Sequence, residues 1–192
     1  MPERGKGTPR TAKPNRGPAA GPENRRALIA AAREVYAEGG LGAPFSAVAK
    51  RAGVGQGSLY RHFPDRTALA VAVFEDNVRD LEEYTSAPER TVDDLLDRVV
   101  DQVVVSTAFI ELITADLTDT RVAVLGARFQ ALVERLVARD RVAGRIGRHI
   151  ETDDVTLAAG MLATELARAD TAQRPVVARR ARALFAAAFA PR

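Results

Sequence analysis

The sequence predicts an all-α protein, and three observations support this fold class. Apolar residues recur at intervals of three and four along most of the chain, which is the spacing of one helix face. No segment shows the sustained alternation of apolar and polar residues that marks a half-buried strand. Glycine, proline and capping residues divide the pattern into segments of helical length. We therefore expect a group of short N-terminal helices followed by a larger helical bundle.

Composition limits the possible functions. The chain has 192 residues, 46% of them hydrophobic, which suits one domain or a small module fused to a larger one. No apolar run approaches the roughly 20 residues of a membrane span, and the N-terminus lacks the apolar segment of a secretion signal. The absence of Cys excludes disulfides and thiolate metal sites. We expect a cytoplasmic protein that does not enter a membrane.

Charge is distributed unevenly along the chain. Residues 1–66 hold 12 Lys and Arg against five Asp and Glu, a net charge of +7, whereas residues 67–192 hold 16 against 20, a net charge of −4. A basic N-terminal part favours contact with a polyanion such as nucleic acid. Chance clustering is the alternative, since Arg is the common cation here.

The first 22 residues contain five Pro and four Gly among scattered cations and show no apolar periodicity. This composition predicts a flexible basic arm over residues 1–22. Such an arm either tracks phosphates as a tether or is an inert leader.

Three helices are predicted after the arm. The first stops at Gly39-Gly40, the second follows Pro44 and stops at Gly53, and a tight turn leads into the third, over residues 56–63. Two short helices joined by a glycine-containing turn, the second with polar groups outward, form a helix-turn-helix. Their inward residues are Leu28, Ala32, Val35, Tyr36, Phe45, Val48, Ala49, Ala52, Leu59 and Phe63. We assign residues 23–66 to this domain and residues 67–192 to a second helical domain.

The second domain divides into further helices, each with its own start or stop signal. We expect them over residues 66–84, 92–106 (opened by a Thr91-Asp94 capping box), 109–117, 122 to about 144 or 147, 153–168 (capped by Thr152) and 175–189.

Residues 49–66, AKRAGVGQGSLYRHFPDR, closely resemble the DNA-binding signature of the TetR family of transcriptional regulators, and residues 30–40 are similar to the family's first helix. Residues 145–155 bear a weaker similarity to the segment before the penultimate helix. The resemblance implies a nine-helix subunit with three helices for DNA, a fourth linking helix, and a C-terminal bundle that dimerises and encloses a ligand. Gly55, Ser58 and Ala43-Pro44 depart from the family pattern.

The resemblance also implies DNA contacts. Gln56 and Ser58 hold positions near base edges or phosphates, Tyr60 and His62 bind the DNA backbone, and Arg66 meets a phosphate. The amide of Gln56 suits adenine and the guanidinium of Arg61 suits guanine. The alternative for both residues is a contact with phosphate or solvent, and the alternative for Tyr60 is packing in the core. The complete predicted set is Arg25, Ser46, Gln56, Ser58, Tyr60, Arg61, His62 and Arg66.

Other chemistry is not expected. His62 has only His149 as a possible fellow metal ligand, so neither a metal nor a cofactor is predicted. The glycines at 53–57 follow a helix, whereas a nucleotide loop follows a strand. Asp94, Asp97 and Asp101 share a face with Arg98 among them, which favours a solvated surface. We therefore predict no catalytic residues and no enzyme.

Candidates for a ligand pocket combine apolar residues with a few polar anchors. They are Gln102, Phe109, Thr114, Phe129, Met161, Thr164 and Glu165, each of which could instead be core or surface. Small residues that would admit a second subunit, with packing inside one subunit as the alternative, are Ala158, Ala159, Gly160 and Ala163, together with Ala181, Leu184, Phe185 and Ala188.

The sequence thus predicts a homodimeric DNA-binding regulator, more readily a repressor, that binds a double-stranded palindromic operator and is released by an unknown small-molecule effector. The alternative is a helical small-molecule-binding or protein-interaction protein without a specific operator. The intact polar surface from Gln56 to Arg66 argues against that alternative.

Overall fold

The computed structural model describes residues 21–102, residue 112 and residues 118–192. Regular structure in this part of the chain is helical throughout, which confirms the predicted fold class, and none of these helices is long and apolar enough to cross a membrane. The helices are α1 (Gly21–Gly39), α2 (Phe45–Ala52), α3 (Gln56–His62), α4 (Arg66–Ser86), α5 (Val92–Asp101), α6 (Thr120–Val142), α7 (Thr152–Arg168) and α8 (Arg174–Phe189). The predicted arm, apart from its last two residues, and the predicted helix over 109–117, apart from the buried Leu112, lie outside the described residues.

The three N-terminal helices pack around a small apolar core. Leu28 of α1, Val48 of α2 and Leu59 of α3 are all fully buried. Gly40 and Gly53 follow α1 and α2 with φ of 62° and 65°, the left-handed conformation that glycine adopts most easily. These two stops confirm the predicted helix ends and turn the chain sharply enough for α2 and α3 to fold back on α1.

Helix α4 connects this N-terminal unit to the rest of the protein. It begins at the N-cap residue Asp65, whose Oδ1 accepts a hydrogen bond of 2.6 Å from the Ala68 N–H. It packs against α1, where Arg33 Nη2 lies 3.0 Å from Asp76 Oδ2. Helix α6 packs along α4 on another side. The position of α4 therefore relates the N-terminal unit to the C-terminal bundle.

The C-terminal bundle contains α5 to α8. Helix α7 lies centrally, against α5, α6 and α8, and its Leu162 and Leu166 are buried together with Leu132 and Leu136 of α6. The predicted capping box of α5 is present, with Thr91 Oγ1 accepting from the Asp94 N–H at 3.1 Å.

Helix α7 begins one residue earlier than the predicted cap implies. Glu151 is the N-cap residue, and its backbone N–H donates to the Asp154 carboxylate at 2.8 Å, so Thr152 is already helical. The prediction of Thr152 as the cap is therefore wrong. The reciprocal hydrogen bond requires an acceptor three residues after the cap, and Asp154 stands at that distance from Glu151.

A buried carboxylate fixes α5 to α6. Asp140 is 1% exposed, and its Oδ2 accepts a 2.8 Å hydrogen bond from the N–H of Val92, in the first turn of α5. Its Oδ1 accepts a 2.8 Å hydrogen bond from Arg145 Nε. The N–H groups of a first helical turn have no partner within their own helix, so Asp140 supplies one from a different helix.

Candidate nucleic-acid interface

Helix α3 has seven residues and is anchored by one of them. Leu59 is fully buried against α1 and α2, and Phe63 at the helix end is buried as well. The polar positions consequently lie on the other side. Gln56, Tyr60 and Arg61 are exposed, and Ser58 and His62 are half-buried.

Tyr60 lies on the surface rather than in the core. Its side chain is 56% exposed, and its ring meets the ring of Phe45 edge-on, with centroids 5.3 Å apart. Phe45 is the first residue of α2 and is followed by the exposed Ser46. The contact therefore fixes the Tyr60 ring beside the start of α2, and the rest of the side chain remains exposed to solvent.

The far end of α3 lies close to the start of α1. The guanidinium of Arg25 stands over the Phe63 ring, 5.4 Å from its centroid, and the His62 ring lies 6.4 Å from the same ring. This cation–π contact holds the Arg25 side chain next to the end of α3. Cationic or polar groups thus border the exposed face of α3 at this end.

Arg66 and Arg61, two predicted DNA contacts, also make hydrogen bonds within the chain. Arg66 Nη1 donates to the Leu41 carbonyl at 2.6 Å, and Arg61 Nε donates to the Gly57 carbonyl at 3.3 Å. Both side chains are exposed. A guanidinium has five N–H donors, so these bonds orient each group and leave other donors for an external acceptor.

The two cations of α2 differ in their surroundings. Arg51 donates to Glu38 at 2.8 and 3.0 Å and to Glu34 at 2.9 Å; these hydrogen bonds raise the pKa of Arg51 and lower that of Glu38. Lys50 is exposed and forms no ion pair with the residues that the structure describes. It lies one turn after Ser46, and this four-residue spacing is the signal in the sequence that would have added it to the predicted contacts. Lys50 is therefore a further candidate for a phosphate contact.

Several predicted pocket residues are not brought together. Phe129 is buried in α6, and Gln102 is the half-buried C-cap residue of α5. Met161 is 55% exposed and Glu165 is exposed one turn later, so neither of them lines a cavity inside the subunit. The reason is that another stripe of α7, which includes Leu162 and Leu166, faces the core. Thr164 is half-buried in α7, and the last two candidates, Phe109 and Thr114, lie outside the described residues.

The small residues of α7 pack within the subunit. Ala158, Ala159 and Ala163 are all buried, and this fits the alternative that we gave for them from the sequence. The exposed apolar side chains of the last two helices are Leu157, Met161, Val176 and Leu184.

Three of the four acidic side chains of α5 form ion pairs, and those of Asp93 and Asp97 stay mostly exposed to solvent. Asp94 belongs to the capping box and accepts from Arg90 at 3.2 Å. Asp93 and Asp97 both form ion pairs with Arg182 of α8. Across the described ranges no group of three or more His, Asp and Glu is placed to hold a metal ion.

A junction of polar side chains lies where the N-terminal unit meets α6. Arg121 hydrogen-bonds to Asp119 through Nε and Nη2, at 3.0 and 2.6 Å, and Nη1 reaches Asp65 Oδ2 at 3.2 Å. Asp65 also caps α4 and stands directly after the α3 segment. One guanidinium thus joins the start of α6 to the start of α4.

This junction predicts the titration of Asp119. The hydrogen bonds from Arg121 lower the pKa of Asp119 from 3.8 to about 2. Because the folded-state pKa is the lower one, the stabilisation is complete above the unfolded value and is lost as the pH falls from there toward 2. We expect Arg121→Ala to return the pKa of Asp119 toward 3.8. Carboxyl ¹³C shifts recorded from about pH 6 down to about pH 1.5 measure this change, and an unchanged Asp119 titration in the variant would contradict it.

A short helix, a glycine turn and a second helix with an exposed polar face together define a helix-turn-helix DNA-binding domain. Residues 28–73 match the sequence profile of the bacterial regulatory proteins of the tetR family. No curated protein sequence matches the chain. Solved structures of similar fold are numerous.

Three of these structures cover nearly the whole chain. The TetR transcriptional regulator SCO0520 from Streptomyces coelicolor is 26% identical, with a TM-score of 0.61 over 87% of this chain and 98% of its own. A TetR regulatory protein from Mycobacterium vanbaalenii is 24% identical, with a TM-score of 0.60 over 90% and 98%. Reduced NemR from E. coli is 17% identical, with a TM-score of 0.63 over 88% and 98%. Residues 28–73 thus carry the sequence profile of the tetR family, and the fold of the chain is similar to that of solved TetR transcriptional regulators.

Proposed function

We propose that this regulator is a homodimeric repressor that binds a palindromic operator and is released from it by a small-molecule effector. The observation that carries the proposal is the face of α3. Gln56, Tyr60 and Arg61 are exposed around the single buried anchor Leu59. A short helix with this polarity fits the major groove, where amide and guanidinium groups read base edges.

A homodimer accounts for the exposed apolar side chains of the last two helices. Leu157 and Met161 lie one turn apart on α7, and Leu184 of α8 is 71% exposed. Large apolar groups concentrated on two neighbouring helices are typical of an interface. A two-fold axis through α7 and α8 would give the dimer two copies of α3. A palindromic site requires two such recognition helices with centres roughly 34–36 Å apart.

Release by an effector requires a ligand that binds two conformations with different affinity. Helix α4 is the element through which such a difference would reach DNA. It is joined to α1 by the Arg33–Asp76 pair and to α6 by the Arg128–Glu82 pair. A movement of α4 changes the placement of the N-terminal unit and hence the separation of the two recognition helices.

Selection from a random pool of double-stranded DNA at about 0.15 M salt tests the proposal, because this ionic strength suppresses non-specific phosphate binding. We expect a palindromic sequence to be enriched by the full chain. A single half-site would contradict the dimeric arrangement. Failure to enrich any sequence, with and without candidate effectors, would favour the alternative of a helical small-molecule-binding or protein-interaction protein.

Tyr60→Phe is expected to weaken binding to all DNA sequences by a similar factor, about three- to tenfold, because it removes one hydroxyl aimed at the DNA backbone. Tyr36→Phe is the matched control. The Tyr36 hydroxyl is buried without a hydrogen-bond partner among the described residues, and burial raises its pKa to about 12. Fluorescence anisotropy with the selected site and a scrambled site measures both variants. Equal affinities for Tyr60→Phe and the unmodified chain would refute the contact.

Gln56→Ala is expected to have a different signature. A base contact contributes about 1–3 kcal/mol of discrimination at one position of the site, whereas a phosphate contact contributes at none. The enriched sequence should therefore lose its preference at particular base pairs and keep it elsewhere. Repeating the selection with this variant tests the role, and an unaltered preference at every position would exclude a base contact by Gln56.

A further inference from the structure

A groove of about 310 Å³ runs between α4 and α6 on the side of the bundle that faces the N-terminal unit. Val71 and Glu75 of α4, one turn apart, form one wall, and the other is formed by the first half of α6. The volume lies at the lower end of the range of roughly 300–1,000 Å³ that small-molecule sites occupy.

The floor of the groove is apolar. Leu125 is 2% exposed at its base, Val71 is half-buried, and Val124 is 57% exposed beside them. These three side chains offer an apolar surface that the subunit's own residues leave partly uncovered. An apolar molecule laid along α6 would remove this surface from water, which is favourable in proportion to the area covered.

The charged groups around this floor are not balanced. Arg128 forms a two-pronged pair with Glu82, at 2.6 and 3.1 Å, and Arg121 is shared by Asp119 and Asp65. Both guanidiniums are therefore already matched by carboxylates. Glu75 is exposed and has no hydrogen bond or ion pair with a described residue. It acts on Arg128 only through a longer-range attraction, which adds to the hydrogen bonds with Glu82 in raising the pKa of Arg128. Arg128 therefore faces two carboxylates, those of Glu82 and Glu75, and the charge in excess beside the groove is negative.

We propose that this groove binds an organic cation with an apolar body, with Glu75 as its counter-ion. The body lies on Val71, Val124 and Leu125, and the cationic group lies at the carboxylate. The inference rests on the proposed function, since it names the chemical class of the effector and the place where it acts.

The position of the groove explains how the binding of such a cation would affect the DNA-binding helix α3. Arg121 forms part of its wall and also holds Asp65, the cap of α4 that follows directly after the α3 segment. A molecule wedged between α4 and α6 alters the distance between Arg121 and Asp65. Binding in the groove and the orientation of α3 are thereby coupled through one ion pair, and the coupling acts in both directions.

Three probes with the same eight-carbon chain separate the role of charge from that of apolar area. They are n-octylamine, which is cationic at pH 7, neutral 1-octanol and anionic octanoate. Titration calorimetry on the full chain should show octylamine binding at least about tenfold more tightly than the other two, as one charge-assisted contact allows. Tighter binding of octanoate would overturn the proposal, as would equal binding of all three probes or no binding of any.

Glu75→Gln tests the counter-ion directly, and Glu83→Gln is the matched control because Glu83 is exposed on the same helix outside the groove. Octylamine affinity should fall about tenfold in the first variant and stay unchanged in the second. Operator binding by each variant is measured in parallel without probe. If Glu75→Gln binds operator normally and octylamine undiminished, this inference fails while the proposed function stands. If the unmodified chain selects no DNA, the proposed function fails, and the probe titrations still decide whether the groove binds cations.

Discussion

Leu184→Asp is expected to convert the proposed dimer into a monomer and to weaken binding to the proposed operator by roughly 100-fold or more. Leu184 is the most exposed large apolar residue of α8, and a carboxylate placed there would have to be buried without a partner when the subunits associate. A monomer contacts one half-site and loses the high effective concentration of the second α3. The DNA affinity should therefore fall far more than any single contact on α3 could explain.

Val142→Asp is the matched control for this change. Val142 is 92% exposed, but it is the last residue of α6 and belongs to neither α7 nor α8. Sedimentation velocity should show monomer for Leu184→Asp and dimer for Val142→Asp, and anisotropy should show the DNA defect in the first variant alone. A Leu184→Asp protein that remains dimeric and binds operator normally would exclude this face as the interface.

Asp140→Ala is expected to lower the free energy of unfolding by about 1–3 kcal/mol, the cost of leaving a buried donor without its partner. The Val92 N–H would lose its acceptor inside the bundle, where water does not replace it. Arg145 would also lose its carboxylate, but this side chain is 41% exposed and can be solvated instead. Most of the loss should therefore come from the backbone group.

Urea unfolding separates these two contributions. Arg145→Ala should cost less than Asp140→Ala, and Asp101→Ala, at an exposed position at the end of α5, should change the free energy by no more than about 0.5 kcal/mol. The transition midpoint should move without a change in slope if the folded and unfolded states keep their compactness. Similar losses for Arg145→Ala and Asp140→Ala would show that the ion pair, rather than the capped N–H, carries the stability.

The parts of the fold that depend on neighbouring residues could be predicted from the sequence. The left-handed stops at Gly40 and Gly53 and the capping box of Thr91 and Asp94 each involve residues within one or two turns of each other. The outward polar face of α3 follows in the same way from the four-residue spacing of Leu59 and Phe63. Local spacing alone determines these features.

Contacts between distant segments could not be predicted in this way. Asp140 and Val92 are 48 residues apart, and Arg121 and Asp65 are 56 residues apart, so no pattern within one helix indicates either pair. The orientation of α7 was equally hidden. Its apolar residues are numerous enough to form two stripes, and only packing against three other helices decides that Leu162 faces inward and Met161 outward.

The ion pairs of Arg51 with Glu34 and Glu38 bear on how salt experiments with this regulator are interpreted. They fasten α2 to α1 from the outside, at exposed positions where added ions weaken attraction between charges. The slope of binding against salt concentration ordinarily counts the phosphates that a protein neutralises. Here added salt also loosens the support behind α3, so the measured slope will overstate the number of phosphates contacted. Amide hydrogen exchange in α2, recorded without DNA across the same salt range, would supply the correction.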